Sequence, residues 1–333
     1  MRYLITGAAG FIGAHLSRQI SASGHEVVGI DSLSNYYSRE LKKLRINEFL
    51  SPFNIENFEI NITDLTQLER IFNNFMPETV VHLGAQAGVR LPLNESNIYM
   101  DTNITGFNNV LLCSMKFGVK KLLYASSSSV YGNNSNIPYV ENENKLQPTS
   151  IYGATKLVNE IVAKALLGKS KLKLRGMRFF TVYGSFGRPD MSYFRLLNSA
   201  LNGSAFNLFG DGSIERDFTY IDDVVKGVVA LIDQLDHESE GISDIVNLGG
   251  GKPSSMLELI NIIEKIIGNR INVQIKPSSE LDVKSTCANF DLLKKLTNFV
   301  PSVSLEKGIE KVAEWSASKE IKNSLNRWVE STR

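Results

Sequence analysis

Three glycines, Gly7, Gly10 and Gly13, follow directly on an apolar run, Tyr3-Leu4-Ile5, and a helical pattern of apolar residues begins at Phe11. No other stretch constrains the chain as strongly. A buried parallel strand that turns sharply into a helix needs freedom of φ at Gly7. It needs no side chain at Gly10, where a pyrophosphate meets the backbone, and close helix–sheet approach at Gly13. The helix N-terminus, with Phe11 and Ile12 in its first turn, offers unpaired N–H groups and partial positive charge to the phosphates. A second strand, Glu26–Ile30, ends in Asp31, eighteen residues beyond the last glycine. A carboxylate there accepts from both ribose hydroxyls and repels a 2′-phosphate, so the expected cofactor is NAD.

The 333 residues suffice for two domains, or for one large domain with a lobe. The composition is 43% hydrophobic and 21% charged, which is ordinary for a globular protein. A net charge of +1, with no basic run interleaved with aromatics, gives no support for nucleic-acid binding. Cys113 and Cys287 match no metal or redox spacing, and His15, His25, His82 and His237 form no ligand cluster. The expectations are no metal, no membrane span and a reduced, cytoplasmic setting. His82, flanked by apolar residues, reads as a core histidine.

Strands and helices alternate through the first half. Helices are expected over 11–22, 65–74, 98–117 and 151–167, with strands over 58–60, 79–83, 121–125 and 172–180. Residues 33–53 read as a loop with a short helix. Asp64 with Gln67 gives a capping-box start. This βα alternation calls for a Rossmann-type, doubly wound parallel sheet, an α/β fold with ligands at the carboxyl ends of the strands. From Tyr183 the rhythm breaks. Residues 206–214 read as a short strand and turn, and 244–248 as a strand that rejoins the sheet. Ser255 caps a helix over 256–267, and 305–315 is amphipathic. The expected division is 1–184 with 217–250 for the dinucleotide, and 185–216 with 251–333 for a smaller C-terminal substrate-binding lobe.

Tyr152 and Lys156 stand four apart on an expected helix and so face the same way. An ammonium near a phenol lowers its pKa from about 10 toward working pH, which suits Tyr152 to act as a general base on an alcohol. The helix opens after the strand that ends in Ser126-Ser127-Ser128-Ser129, where a hydroxyl can bond the same substrate oxygen.

Taken together, GAAGFIG (Gly7 to Gly13), Ile30-Asp31, SSSSVYG (Ser126 to Gly132), YGATK (Tyr152 to Lys156) and RDFTYIDD (Arg216 to Asp223) resemble the extended short-chain dehydrogenases/reductases. More narrowly, the chain resembles the NAD-dependent nucleotide-sugar 4-epimerases. QAGVR, RFFTVYG and GRPDM, ending at Arg90, Gly184 and Met191, are similar to UDP-glucuronate 4-epimerases in particular. The likeness runs from about residue 1 to 320.

The resemblance implies a catalytic set of Ser127, Tyr152 and Lys156. It implies an NAD site of Gly7, Gly10, Phe11, Ile12, Gly13, Asp31, Ile62, Gly84, Ala85, Gln86, Asn103, Tyr152 and Lys156. For the UDP-sugar it implies Arg216 at the diphosphate, backbone at Phe206, Asn207 and Leu208 at the uracil, and Asp282 near the ribose. Ser127, Ser128 and Ser129 would touch the sugar, and Thr181 and Arg188, with Arg90 as a second cation, would meet the C6 carboxylate. A guanidinium pairs a carboxylate bidentately, which fits Arg188. The implied cycle is internal redox at sugar C4, with the 4-keto sugar turning about its phosphate linkage. A homodimer through the 98–117 and 151–167 helices and service in polysaccharide biosynthesis are implied as well. Dehydration is disfavoured, because Ser128 and Ser129 stand where the related dehydratases carry an acid pair. The alternatives are a 4-epimerase of UDP-glucose or UDP-GlcNAc, and a non-catalytic NAD-binding protein.

Overall fold

Short aliphatic and β-branched runs set the strands, and polar side chains at Ser38, Asp64, Ser150 and Ser255 cap helices that follow four of them. The computed structural model describes residues 1–88, 91–133, 136–166, 169–277 and 283–332. It opens with β1 (Arg2–Thr6), α1 (Phe11–Ala22) and β2 (Glu26–Ile30). α2 (Arg39–Arg45) runs on through a π turn at Ile46–Leu50, so more of the 33–53 stretch is helical than the expected short helix. Then come β3 (Glu56–Phe58), α3 (Leu65–Phe75) and β4 (Thr79–His82). The helix expected over 98–117 is a composite of α4 (Asn97–Tyr99), a π turn at Met100–Thr105 and α5 (Gly106–Lys116). β5 (Lys121–Ser127), α6 (Ile151–Ala165) and β6 (Lys173–Phe179) complete the regular half.

Beyond Phe179 follow β7 (Thr181–Tyr183), α7 (Ser192–Asn202), β8 (Phe206–Phe209), β9 (Glu215–Tyr220) and α8 (Ile221–Gln234). β10 (Ser243–Leu248), β11 (Pro253–Ser255), α9 (Met256–Ile267) and β12 (Val273–Lys276) come next. The chain closes with α10 (Asp291–Thr297), α11 (Leu305–Ser316) and α12 (Lys319–Glu330).

The main sheet has seven parallel strands in the order β3-β2-β1-β4-β5-β6-β10. The order reverses between β1 and β4, which opens a crevice at their carboxyl ends. Alternation along β1 divides the core between the two faces. Tyr3 and Ile5 pack with α1 and α8, and Leu4 packs with α3, α5 and α6. The strand expected over 172–180 ends at Phe179, and Thr181 starts β7 in a separate sheet, β11-β9-β7. That sheet, the pair β12-β8 and helices α7 and α9 to α12 belong to the half in which the βα rhythm is lost.

Candidate active site

Gly7 has φ +73°, a left-handed conformation that favours glycine. A Cβ built on Gly13 lies 2.1 Å from the Gly7 carbonyl oxygen, and one on Gly10 lies 2.8 Å from it. The turn's own backbone therefore excludes side chains at both positions, in addition to the expected ligand and sheet constraints. Asp31 closes the turn, its carboxylate accepting from Ala9 N at 3.2 Å and Leu33 N at 2.8 Å. Burial raises the Asp31 pKa, and the Lys42 ammonium opposes the rise.

These residues open onto a cleft of about 1040 Å³. Gly7, Gly10, Phe11, Ile12 and Gly13 of the turn, Asp31, Ile62, Gly84, Ala85, Gln86, Ser127, Ser128, Ser129, Tyr152 and Lys156 line it. So do Thr181, Arg188, Phe206, Asn207, Leu208 and Arg216. Arg90 and Asp282 lie outside the described residues. Asn103 is buried just behind the lining. Its side-chain oxygen accepts from Gln86 N at 2.8 Å, and its nitrogen donates to Gln86 O and to Thr155 on α6. This one amide ties the Gly84–Gln86 strand end to the tyrosine helix.

Ser150 caps α6 by accepting from Gly153 N at 3.1 Å, which starts the helix at Ile151, one residue before Tyr152. Burial pushes the Tyr152 phenol above its ordinary value of 10, while the Arg188 guanidinium and a hydrogen bond with Ser127 pull it down. This corrects the expectation for the chain alone. Lys156 donates to the Ala125 carbonyl at 2.9 Å, and its Nζ is 5.8 Å from the Tyr152 ring centroid. The charge that opposes the rise is that of Arg188, and burial lowers Lys156 itself to about 8. Ser127 Oγ donates to Ser129 Oγ at 3.1 Å and accepts from Ser129 N at 3.2 Å.

Arg188 is held by Asp190 in a bidentate ion pair, and Tyr36 donates to the same carboxylate at 3.3 Å. Arg216 donates to the Val283 carbonyl at 2.7 Å and to the Glu215 carbonyl at 2.8 Å.

The description of the NAD-dependent epimerase/dehydratase family matches residues 3–249. The chain belongs to that family. It is 40% identical over 315 residues to the UDP-glucuronate 4-epimerase of Thermodesulfobacterium geofontis, covering 94% of this chain and 95% of that one. It is similar in structure to the UDP-glucuronic acid 4-epimerase from Bacillus cereus in complex with UDP-glucuronic acid and NAD. There the TM-score is 0.87 at 32% identity, over 95% and 98% of the two chains. UDP-glucose 4-epimerase of Thermotoga maritima with UDP-glucose gives 0.85 at 29% identity, over the same shares.

NAD, the cofactor of this epimerase family, fits the residues present. The glycine turn leaves no room for side chains, the α1 N-terminus faces the cleft, and Asp31 lines it beside them. Among the described residues no His, Cys, Asp and Glu group could hold a metal, and no helix is long and apolar enough to cross a membrane.

Several residues that shape the epimerase-family cleft escaped the sequence reading. Glu160, a further four residues along α6, accepts from Ser126 Oγ at 2.5 Å and pairs bidentately with Arg178 on β6. Extending the Tyr152–Lys156 spacing by one step points to it. Tyr36 meets Asp190, and Arg45 meets the Phe186 and Gly187 carbonyls, across distant segments that leave no local pattern.

Proposed function

We propose that the chain is a UDP-glucuronate 4-epimerase that interconverts UDP-glucuronate and UDP-galacturonate through a 4-keto sugar. The observation that carries this reading is the joint presence, in one cleft, of Ser127, Tyr152 and Lys156 with Thr181 and Arg188. The names of the similar proteins from Thermodesulfobacterium geofontis and Bacillus cereus support the same substrate.

NAD, when bound, supplies an oxidised nicotinamide that accepts hydride from sugar C4 and gives it back. Tyr152 as phenolate takes the O4 proton and later returns it, and Ser127 donates to the same oxygen. Lys156 and Asp31 hold the two riboses, and the glycine turn holds the pyrophosphate. Arg216 meets the substrate diphosphate, and the β8 backbone meets the uracil. The 4-keto uronate is a β-keto acid, which loses CO₂ when the C5–C6 bond aligns with the carbonyl π system. Thr181 and Arg188 hold the carboxylate in an orientation that disfavours this alignment. In this reading 1–184 with 217–250 hold the dinucleotide, and 185–216 with 251–333 hold the nucleotide sugar.

The assembly in this reading is a homodimer through the α5 and α6 faces, where Leu112 and Ile161 are 43% and 59% exposed. A reduced, cytoplasmic setting suits the free Cys113 and Cys287, and polysaccharide biosynthesis is the service proposed.

One observation favours a neutral UDP-hexose as a second reading: Arg188 already carries a carboxylate partner. Feeding the purified protein UDP-glucuronate, UDP-glucose and UDP-GlcNAc separately, with products resolved by chromatography, tests both. Conversion of UDP-glucuronate alone supports the first, and conversion only of a neutral sugar overturns it.

A further inference from the structure

Arg188 and Asp190 stand two apart in the turn before α7, and their pair is side-on. Nε donates to Oδ1 at 3.0 Å and Nη2 donates to Oδ2. Tyr36, from the loop after β2, donates to that Oδ2 at 3.3 Å. The two charged side chains are 24% and 14% exposed, so water screens the pair only weakly. The backbone before it is braced too. Arg45, fully buried, donates to the carbonyls of Phe186, Gly187 and Ala9.

A guanidinium offers a carboxylate two edges, one made by Nε with an Nη and one made by both Nη atoms. Asp190 occupies the first. A sugar carboxylate entering the cleft meets the second, on a pair whose formal charge is already zero. Presenting both faces of C4 requires the keto sugar to turn about its phosphate linkage, which carries C6 across the cleft. A carboxylate gripped by an uncompensated, poorly screened guanidinium turns slowly. Interactions that bind the starting state tightly and must be broken in the rate-limiting motion lower KM and kcat together.

We infer that Asp190 is a positioning residue: it fixes Arg188 by one edge and weakens its grip on the C6 carboxylate, so that the sugar can turn. The inference rests on the uronate reading given above. Asp190 touches no reacting atom and acts only through Arg188.

The test compares wild type with Asp190→Asn, as full chains carrying NAD. KM and kcat are measured on UDP-glucuronate, and the equilibrium Kd is measured for UDP-glucose. The expected result is a KM for UDP-glucuronate about threefold or more lower and a kcat about tenfold lower, with the UDP-glucose Kd within about twofold of wild type. A KM that is unchanged or raised, or a UDP-glucose Kd that shifts as far as the uronate KM, overturns the role. Should the asparagine variant fail to accumulate as folded protein, Asp190→Ser is read by the same criteria. A wild type inert on UDP-glucuronate overturns the substrate reading itself. An active wild type whose variant lacks the joint fall in KM and kcat overturns only the role of Asp190.

Discussion

Tyr152 lies between opposing influences: burial disfavours its phenolate, and Arg188 with Ser127 favours it. A base so placed is costly to keep and costly to lose. Tyr152→Phe is expected to lower kcat by about 10² or more while leaving bound NAD, measured in heat-released extracts, unchanged. Full turnover by that variant would remove the phenol from the mechanism. Lys156 carries a different cost. It is 1% exposed, and burial brings its pKa from 10.5 down to about 8. At pH 7 it is protonated both folded and unfolded, so the whole shift opposes folding, by about 3 kcal/mol. Lys156→Met is therefore expected to raise the melting temperature of the cofactor-stripped protein by about 2–5 °C while abolishing turnover. A lower melting temperature would mean that the Ala125 hydrogen bond outweighs desolvation. For Arg188, the alanine variant is expected to release CO₂ from UDP-glucuronate faster than wild type does. Equal CO₂ release would show that the arginine does not protect the keto acid.

At the scale of elements, α6 carries the site on one face. Tyr152, Lys156 and Glu160 recur every four residues, and Glu160 joins the helix to β5 through Ser126 and to β6 through Arg178. Arg178 and Glu160 are 3% and 6% exposed, so loss of one charge strands the other. Glu160→Gln is expected to cost about 3–5 kcal/mol in denaturant unfolding and to reduce kcat by moving Ser127 against Tyr152. A cost below about 1 kcal/mol would mark the pair as dispensable. What could be read from the sequence follows the same logic. β1, α1, β2 and the α6 face are local, with every determinant inside one turn or one period. Ser255, whose side chain accepts from Glu258 N at 3.1 Å, starts α9 where its capping pattern predicts. The π turn at Met100–Thr105 is invisible to periodicity, because its one fully buried side chain is the polar Asn103. Tyr36 and Asp190 are 154 residues apart, and Arg45 and Gly187 are 142 apart. Only the finished fold brings such partners together. α12 was missed for a compositional reason: polar residues dominate it, and Leu325 and Trp328 are its large buried side chains.

The whole molecule pays for its interior in acid. His15 sits among Phe11, Phe49 and Phe186, with its Nε2 3.2 Å from the Ser185 carbonyl oxygen. His82 ends β4 beside Thr6 of β1, with Nδ1 2.8 Å from the Thr6 hydroxyl. Burial holds both imidazoles near 3, against 6.5 for an exposed histidine. A depressed folded pKa means stability that is fully present above about 6.5 and is lost as pH falls toward about 3. Over that window the unfolded chain binds up to two more protons through these groups, each worth about 1.4 kcal/mol per pH unit. Asp31 and Asp217, raised by burial, act with the opposite sign, so the absolute slope is a compromise. The difference between variants is cleaner. His15→Phe suits the aromatic neighbours and removes one titrating group. Unfolding free energies from urea titrations at pH 7.5 to 4.5 are expected to fall less steeply for His15→Phe than for wild type, by about 1.4 kcal/mol per pH unit below pH 6. Parallel curves would mean that His15 is protonated in the fold, and that the Ser185 carbonyl outweighs its burial.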